Sequence, residues 1–182
     1  MKALDADVKA KNLLFLNEIG VDPGIDHMSA MQVIDKIHDQ GGKIRHFYSI
    51  CGGLPAPEDN DNPFGYKFSW SPKGVVLASR NAARFLKDGK IIDIKGEDLF
   101  LNYHVETVEG LGEFEVYPNR NSLPYKEIYG LKDARTIMRG TYRNIGWCDT
   151  LKKIVDLGLV DDTPRPSLSN ISYKQMMADI AG

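Results

Sequence analysis

The chain has 182 residues, and its 23 Lys and Arg against 25 Asp and Glu give a formal net charge of −2. This balance gives no reason to expect a nucleic-acid partner or an anionic membrane surface, and the length suits one domain, or one domain plus part of a neighbour. Apolar runs reach only four residues, as in LLFL at 13–16, which indicates neither a transmembrane helix nor a signal peptide, so we expect a cytoplasmic protein with no membrane partner.

The first 40 residues predict a helix, a strand and a second helix. Leu4 and Val8 lie four apart in 2–11, which is typical of a helix, and the apolar run 13–20 is typical of a buried strand in a parallel sheet. A chain that opens on half a helix indicates a start within a domain. Asp22 and Pro23 then have the residue types of an N-cap and a first helical position, and this helix is predicted to end at Gly41-Gly42.

The middle of the chain predicts a strand, a long loop and another helix. Residues 43–51 alternate as a strand does, and 52–63 contains three prolines and is long enough to indicate a functional loop. Ser71-Pro72 predicts a helix with an apolar stripe at Val75, Ala78, Ala82, Phe85 and Leu86.

The remaining elements are short, and 97–112 is ambiguous. We predict strands over 90–95, 114–117 and 136–143, helices over 125–129, 147–158 and 173–180, and a linker over 161–166. Interleaved helices and alternating strands favour an α+β fold, with helices packed on a mixed or antiparallel sheet.

Familiar cofactor and metal motifs are absent from the sequence. Gly110 and Gly112 are followed by Glu115 where GxGxxG requires its third glycine, and neither a Walker A motif nor HExxH occurs. The four histidines lack metal-ligand spacing, so we expect no metal site. Cys51 and Cys148 lie far apart and are interpreted as reduced, buried thiols.

Three segments have residues suited to binding. Asp22 precedes a predicted helix N-terminus, and it either holds a cationic amine or serves only as a cap. Gly52-Gly53 allows close backbone approach or forms a plain turn. Arginines at 120, 139 and 143 suit bidentate capture of carboxylates, although solvated surface arginines are commoner.

Four motifs in order, GVDPGIDHM, CGGLPAPEDNDNPFGYKFSWSPKGV, YPNRNSLPY and MRGTYRNIG, resemble the glutamate-forming saccharopine dehydrogenase family over almost the whole chain. The resemblance implies an oxidoreductase of lysine metabolism that interconverts saccharopine with glutamate and aminoadipate semialdehyde through an imine, with NADP or NAD carrying the hydride. It also implies that 1–20 are the end of a Rossmann domain, that 21–182 form a substrate-binding and dimerisation domain, and that the chain alone is inactive. We therefore expect a homodimer.

The resemblance also implies site residues. Asp22 is the catalytic candidate. The substrate-binding candidates are Val21, Asp22, Arg120, Thr141, Tyr142 and Arg143. The cofactor-binding candidates are Gly20, Val21, Asp22, Pro23 and Ser71. Asn121, Tyr142 and Asn144 depart from the usual family residues, which leaves the fine substrate preference open. The alternatives are a carboxynorspermidine dehydrogenase-like enzyme of polyamine synthesis and a non-catalytic, free-standing binding or dimerisation domain.

Overall fold

The computed structural model describes residues 2–164 and 170–181. The chain falls into two compact units, residues 1–42 and residues 43–182. In the described residues no helix has the length and apolar character needed to cross a bilayer.

The described residues of the first unit form two α-helices. A 3-10 turn, Lys2–Leu4, leads into helix α1, Asp5–Ala10, which confirms the helix predicted over 2–11. The buried strand predicted over 13–20 is wrong, because residues 13–19 form no strand and Leu14 is 85% exposed. A strand needs a neighbour for its backbone hydrogen bonds, and within the described part of this unit Gly20 makes only an isolated bridge to Gly24.

Helix α2 spans Ile25–Asp39, and its N-cap is Gly24. The predicted cap at Asp22 is therefore wrong by two residues. Asp22 and Pro23 belong instead to a turn with a cis peptide bond, in which the Gly20 N–H donates to the Pro23 carbonyl at 3.0 Å. The first N–H groups of α2 donate to backbone carbonyls, Ile25 to Gly20 and Asp26 to Val21, each at 3.0 Å. The Asp26 Oδ1 accepts from the N–H of the N-cap residue, Gly24, at 2.7 Å.

The second unit is built on a six-stranded mixed sheet, which confirms the predicted fold class. Its strands are β1 His46–Cys51, β2 Ala83–Lys87, β3 Lys90–Ile94, β4 His104–Val108, β5 Gly112–Pro118 and β6 Thr136–Arg143.

Strand β6 is the centre of this sheet. Ile137 pairs with Phe47 of β1 and with Leu86 of β2, and Gly140 pairs with β1 and with β5. A residue has one strand neighbour on each side, so β1 runs along one edge of β6, and β2 and β5 share the other. The β1 pairing is parallel and the remaining pairings are antiparallel. Strand β3 pairs with β2 and strand β4 pairs with β5, and these two strands complete the sheet.

In the described part of the second unit, four α-helices accompany the sheet: α3 Pro72–Ala78, α4 Tyr125–Ile128, α5 Trp147–Asp156 and α6 Tyr173–Ala181. Two 3-10 helices span Pro57–Asp59 and Gly96–Leu101. The predicted extension of the Ser71-Pro72 helix through Leu86 is wrong, because Ala83–Lys87 is β2. Buried Ala83 and Phe85 flank exposed Arg84, the two-residue period of a strand. The predicted linker 161–166 lies partly outside the described residues.

The core joins the sheet to α5 and to the 3-10 helix Gly96–Leu101. Phe100 packs edge-on against Tyr117, with ring centroids 5.1 Å apart, and Cys148 and Leu151 of α5 are buried in the same cluster. The helix α5 is therefore held firmly over the end of β6 that carries Arg143.

Candidate functional site

Alternate residues of β6 place Arg139, Thr141 and Arg143 on one face of the sheet, because successive side chains in a strand point to opposite faces. Arg143 is only 9% exposed. Its Cζ lies 5.0 Å from the ring centroid of Tyr66 and 5.1 Å from that of Trp147, and its Nη1 donates to the Tyr142 carbonyl at 2.9 Å. Two aromatic faces therefore hold a largely dehydrated cation in a fixed plane.

Thr141 lies between the two arginines of this row and pairs with Tyr117 of β5. Burial raises the pKa of Tyr117, while Arg143 and a hydrogen bond to Thr141 act to lower it. Tyr117 therefore remains a neutral phenol beside the Arg143 guanidinium. Hydroxyls and a guanidinium together can bind a carboxylate.

Tyr142 lies on the opposite face from Thr141 and Arg143. Its hydroxyl donates to Glu106 Oε1 at 3.3 Å, and its ring packs edge-on against Phe114. Burial and the Glu106 carboxylate raise the pKa of Tyr142. The predicted triplet of residues 141–143 is therefore divided between two faces, and substrate binding by Tyr142 stays a prediction.

The backbone of the loop that contains Arg120 is hydrogen-bonded to β2 and to β6. The Arg120 carbonyl accepts from the Arg84 N–H at 2.8 Å, and the Asn119 N–H donates to the Arg139 carbonyl at 2.8 Å. Arg120 has a left-handed φ of 51° and its side chain is exposed. A fixed backbone therefore presents a charged side chain to solvent, next to the row on β6.

Arg139 is absent from the list of residues implied by the family resemblance. Its Nη1 donates to the Tyr125 hydroxyl at 2.7 Å, and its Cζ lies 5.0 Å from that ring. The signal that finds it in the sequence is its two-residue spacing from Thr141. It adds a second oriented cation to the face that carries Arg143.

Ser71 and the turn at 20–24 are the predicted cofactor contacts. Ser71 Oγ accepts from the Gly74 N–H at 3.1 Å and caps α3. In the first unit, Val21 and Asp22 are exposed at the turn. A Cβ on Gly24 would come within 2.2 Å of the Gly20 carbonyl oxygen, and its φ is 149°, so the turn requires glycine there. The predicted roles of these residues stay predictions.

The loop after β1 packs onto the face that carries Tyr142. A Cβ on Gly52 would lie 2.8 Å from Tyr142 Cβ, so this glycine permits a close approach, one of the two readings of Gly52-Gly53. Together with the β4–β5 turn, the loop encloses a groove of about 450 Å³. Asn144, at its margin, donates to the Gly65 carbonyl at 2.7 Å. The groove is mainly apolar and lies across the sheet from Arg143.

A buried carboxylate, Glu115, was missed by the sequence reasoning. It is 2% exposed and pairs with Arg143 across β5 and β6. The N–H groups of Gly146 and Cys148 donate to its Oε1 and Oε2, each at 2.7 Å, so the carboxylate caps α5. Burial raises the pKa of the Cys148 thiol, and the neighbouring Glu115 carboxylate raises it further.

The described residues contain no group of three or more His, Cys, Asp or Glu side chains placed to hold a metal ion. The expectation that the domain has no metal site stays a prediction.

Comparison with known proteins identifies the family. The saccharopine dehydrogenase C-terminal domain family matches residues 20–180. The chain belongs to this family. Among its relatives are proteins named saccharopine dehydrogenase [NADP(+), L-glutamate-forming] from Pyricularia oryzae, 48% identical over 176 residues, and from Saccharomyces cerevisiae, 46% identical over 183 residues. These alignments cover 96% and 100% of the chain but 39% and 41% of the relatives, so the chain spans about two fifths of their length.

Two further comparisons agree with this assignment. The mitochondrial alpha-aminoadipic semialdehyde synthase of Rattus norvegicus is 43% identical over 188 residues, covering 100% of the chain and 20% of the relative. The structure of apo saccharopine dehydrogenase (L-Glu forming) from Saccharomyces cerevisiae superposes with a TM-score of 0.81 at 45% identity, covering 90% of this chain and 37% of that one. The family resemblance drawn from the four motifs is confirmed.

Proposed function

We propose that this chain is the substrate-binding part of an NADP- or NAD-dependent saccharopine dehydrogenase of lysine metabolism. The full-length enzyme interconverts saccharopine with L-glutamate and L-2-aminoadipate 6-semialdehyde through an imine. The single observation that carries the proposal is the Arg143 guanidinium held between Tyr66 and Trp147 beside Thr141, in a chain whose relatives are named for this reaction.

Saccharopine has three carboxylates and two amines, so its binding site needs several cations and at least one acid. Arg143 and Arg120, both in the second unit, supply cations that bind carboxylates in a bidentate manner. For the first unit, we propose separately that Asp22 is the acid that holds an amine. The chain alone is inactive in this proposal.

The residues present do not form a complete dinucleotide site, because the sequence has no GxGxxG to cradle a pyrophosphate and the Ser71 hydroxyl oxygen already caps α3. We therefore assign the cofactor's phosphates to a preceding domain, of which residues 1–20 are the end. Gly20–Pro23 and Ser71 contribute at most edge contacts. The nicotinamide supplies or accepts the hydride when bound.

We also propose a homodimer formed through the sheet face opposite Arg143. Alternate residues of the strands line a concave region of about 710 Å³ on this face. Tyr48 and Tyr103 on it are 55% and 40% exposed. An exposed apolar region of this kind is typical of an interaction surface.

The test is a comparison of substrates with the full-length enzyme. We expect saccharopine to drive NADPH or NADH formation and carboxynorspermidine to drive little, because it lacks the glutamate carboxylates that the arginines bind. Equal turnover of both compounds would favour the polyamine alternative, which no observation here supports. Turnover of neither would favour the non-catalytic domain.

A further inference from the structure

Glu115 uses both carboxylate oxygens to fix the first turn of α5. Its acceptor bonds come from the residue before the helix, Gly146, and from Cys148, the second residue of the helix. A negative charge at this end of a helix also complements its dipole. Because Glu115 is 2% exposed, water does not replace these bonds when they are lost.

The helix turn that Glu115 fixes carries one wall of the Arg143 site. Trp147, between the two anchored backbone positions, is the first residue of α5, and its ring stacks on the Arg143 guanidinium. Glu115 and Arg143 also face each other in the β5–β6 register. Glu115 is therefore connected to Arg143 in two ways. It is the partner of Arg143 in the β5–β6 pairing, and it fixes the α5 turn that carries Trp147.

We propose that Glu115 is a positioning residue for substrate carboxylate binding, acting through the α5 N-terminus and Trp147 on the plane of the Arg143 guanidinium. The proposal rests on the proposed role of Arg143. A bidentate contact requires the guanidinium and the carboxylate to be nearly coplanar, so a tilt of the Trp147 wall misaligns the pair without removing any charge from it.

The test is a double-mutant cycle in the full-length enzyme with Glu115→Gln and Arg143→Ala. Gln keeps the shape of Glu but places an amide N–H group against a backbone donor. We expect Glu115→Gln to lower kcat/KM for saccharopine about 10-fold through misplacement of the bound group, with the KM for NADPH unchanged. In the Arg143→Ala background the same substitution should change kcat/KM less than about 2-fold, because coupled residues are not additive.

Ile137→Val is the matched control, since Ile137 is fully buried on β6, the strand that carries Arg143. It should lower the melting temperature as Glu115→Gln does, but leave kcat/KM unchanged. Additive losses in the cycle, or equal losses in the control, would overturn the proposal. An unaffected kcat/KM in Arg143→Ala itself would instead overturn the proposed role of Arg143. If Glu115→Gln does not fold, Trp147→Leu takes its place in the cycle with the same expected coupling.

Discussion

Removing the Arg143 side chain gives the sharpest prediction for the full-length enzyme. A hydrogen-bonded contact to a charged group contributes roughly 1.5–3 kcal/mol. At about 1.4 kcal/mol per decade, Arg143→Ala should lower kcat/KM for saccharopine by ~10–200-fold. The KM for the cofactor should change little, because its phosphates are assigned to another domain. Steady-state kinetics with saccharopine and with the cofactor varied in turn measure both quantities.

Two variants make this prediction specific. Arg143→Lys keeps the charge but loses the planar group that stacks between Tyr66 and Trp147, so it should also lower kcat/KM. Arg45→Ala should be nearly silent, since Arg45 is exposed and its Nη1 lies 3.9 Å from Asp133 Oδ1 in a surface ion pair. Equal kcat/KM in Arg143→Ala and Arg45→Ala, with both variants folded, would refute the assignment of Arg143 to a substrate carboxylate.

Three further predictions concern stability, the cofactor and assembly. Burial raises the pKa of Cys148 and of Tyr117, so the stability that these neutral groups contribute is complete below the unfolded pKa of the thiol and is lost as pH rises. Above roughly pH 9, the free energy of unfolding in urea should fall by up to about 1.4 kcal/mol per thiol per pH unit. Cys148→Ala should make this dependence on pH less steep. A slope unchanged by Cys148→Ala would show that ionisation of this thiol does not limit stability. Calorimetric titration of NADPH into the isolated chain should detect no tight binding, and a micromolar dissociation constant would show that the chain has its own cofactor site. Light scattering at roughly tens of micromolar protein, a concentration at which a typical homodimer is associated, should give the mass of a dimer. A charged substitution at Tyr48, on the open sheet face, should reduce this mass to that of the monomer.

The spacing of apolar residues predicts those elements that are set by residues close together in the sequence. Strand β6 was predicted with its exact bounds because its alternation extends over eight residues, and this pattern also places Arg139, Thr141 and Arg143 on one face. The sequence predicts a helix over 82–86 because Ala82, Phe85 and Leu86 continue the apolar spacing of Val75 and Ala78. In the structure Leu86 is buried where it pairs with Ile137. These residues lie 51 positions apart, so the local spacing of apolar residues cannot predict their contact.

The site was less predictable than the fold, for the same reason. In GEFEVYP, alternation places both Glu113 and Glu115 on a polar face, and only Glu113 is exposed. Glu115 is buried because the α5 N-terminus, 31 residues further along the chain, brings N–H donors onto it. The cap of α2 was likewise assigned to Asp22 from residue type, although the turn at 20–24 is set by the backbone contact between Gly20 and Gly24.

Turnover by a chimera shows whether this chain binds saccharopine in the full-length enzyme. In the chimera, this chain replaces the matching two fifths of saccharopine dehydrogenase from Saccharomyces cerevisiae, and NADPH binding by calorimetry confirms that the remaining domain is intact. We expect saccharopine oxidation by the chimera and a loss of ~10–200-fold in kcat/KM when Arg143→Ala is introduced into it. A folded chimera that binds NADPH as tightly as the yeast enzyme but does not oxidise saccharopine would contradict the claim that this chain binds the substrate.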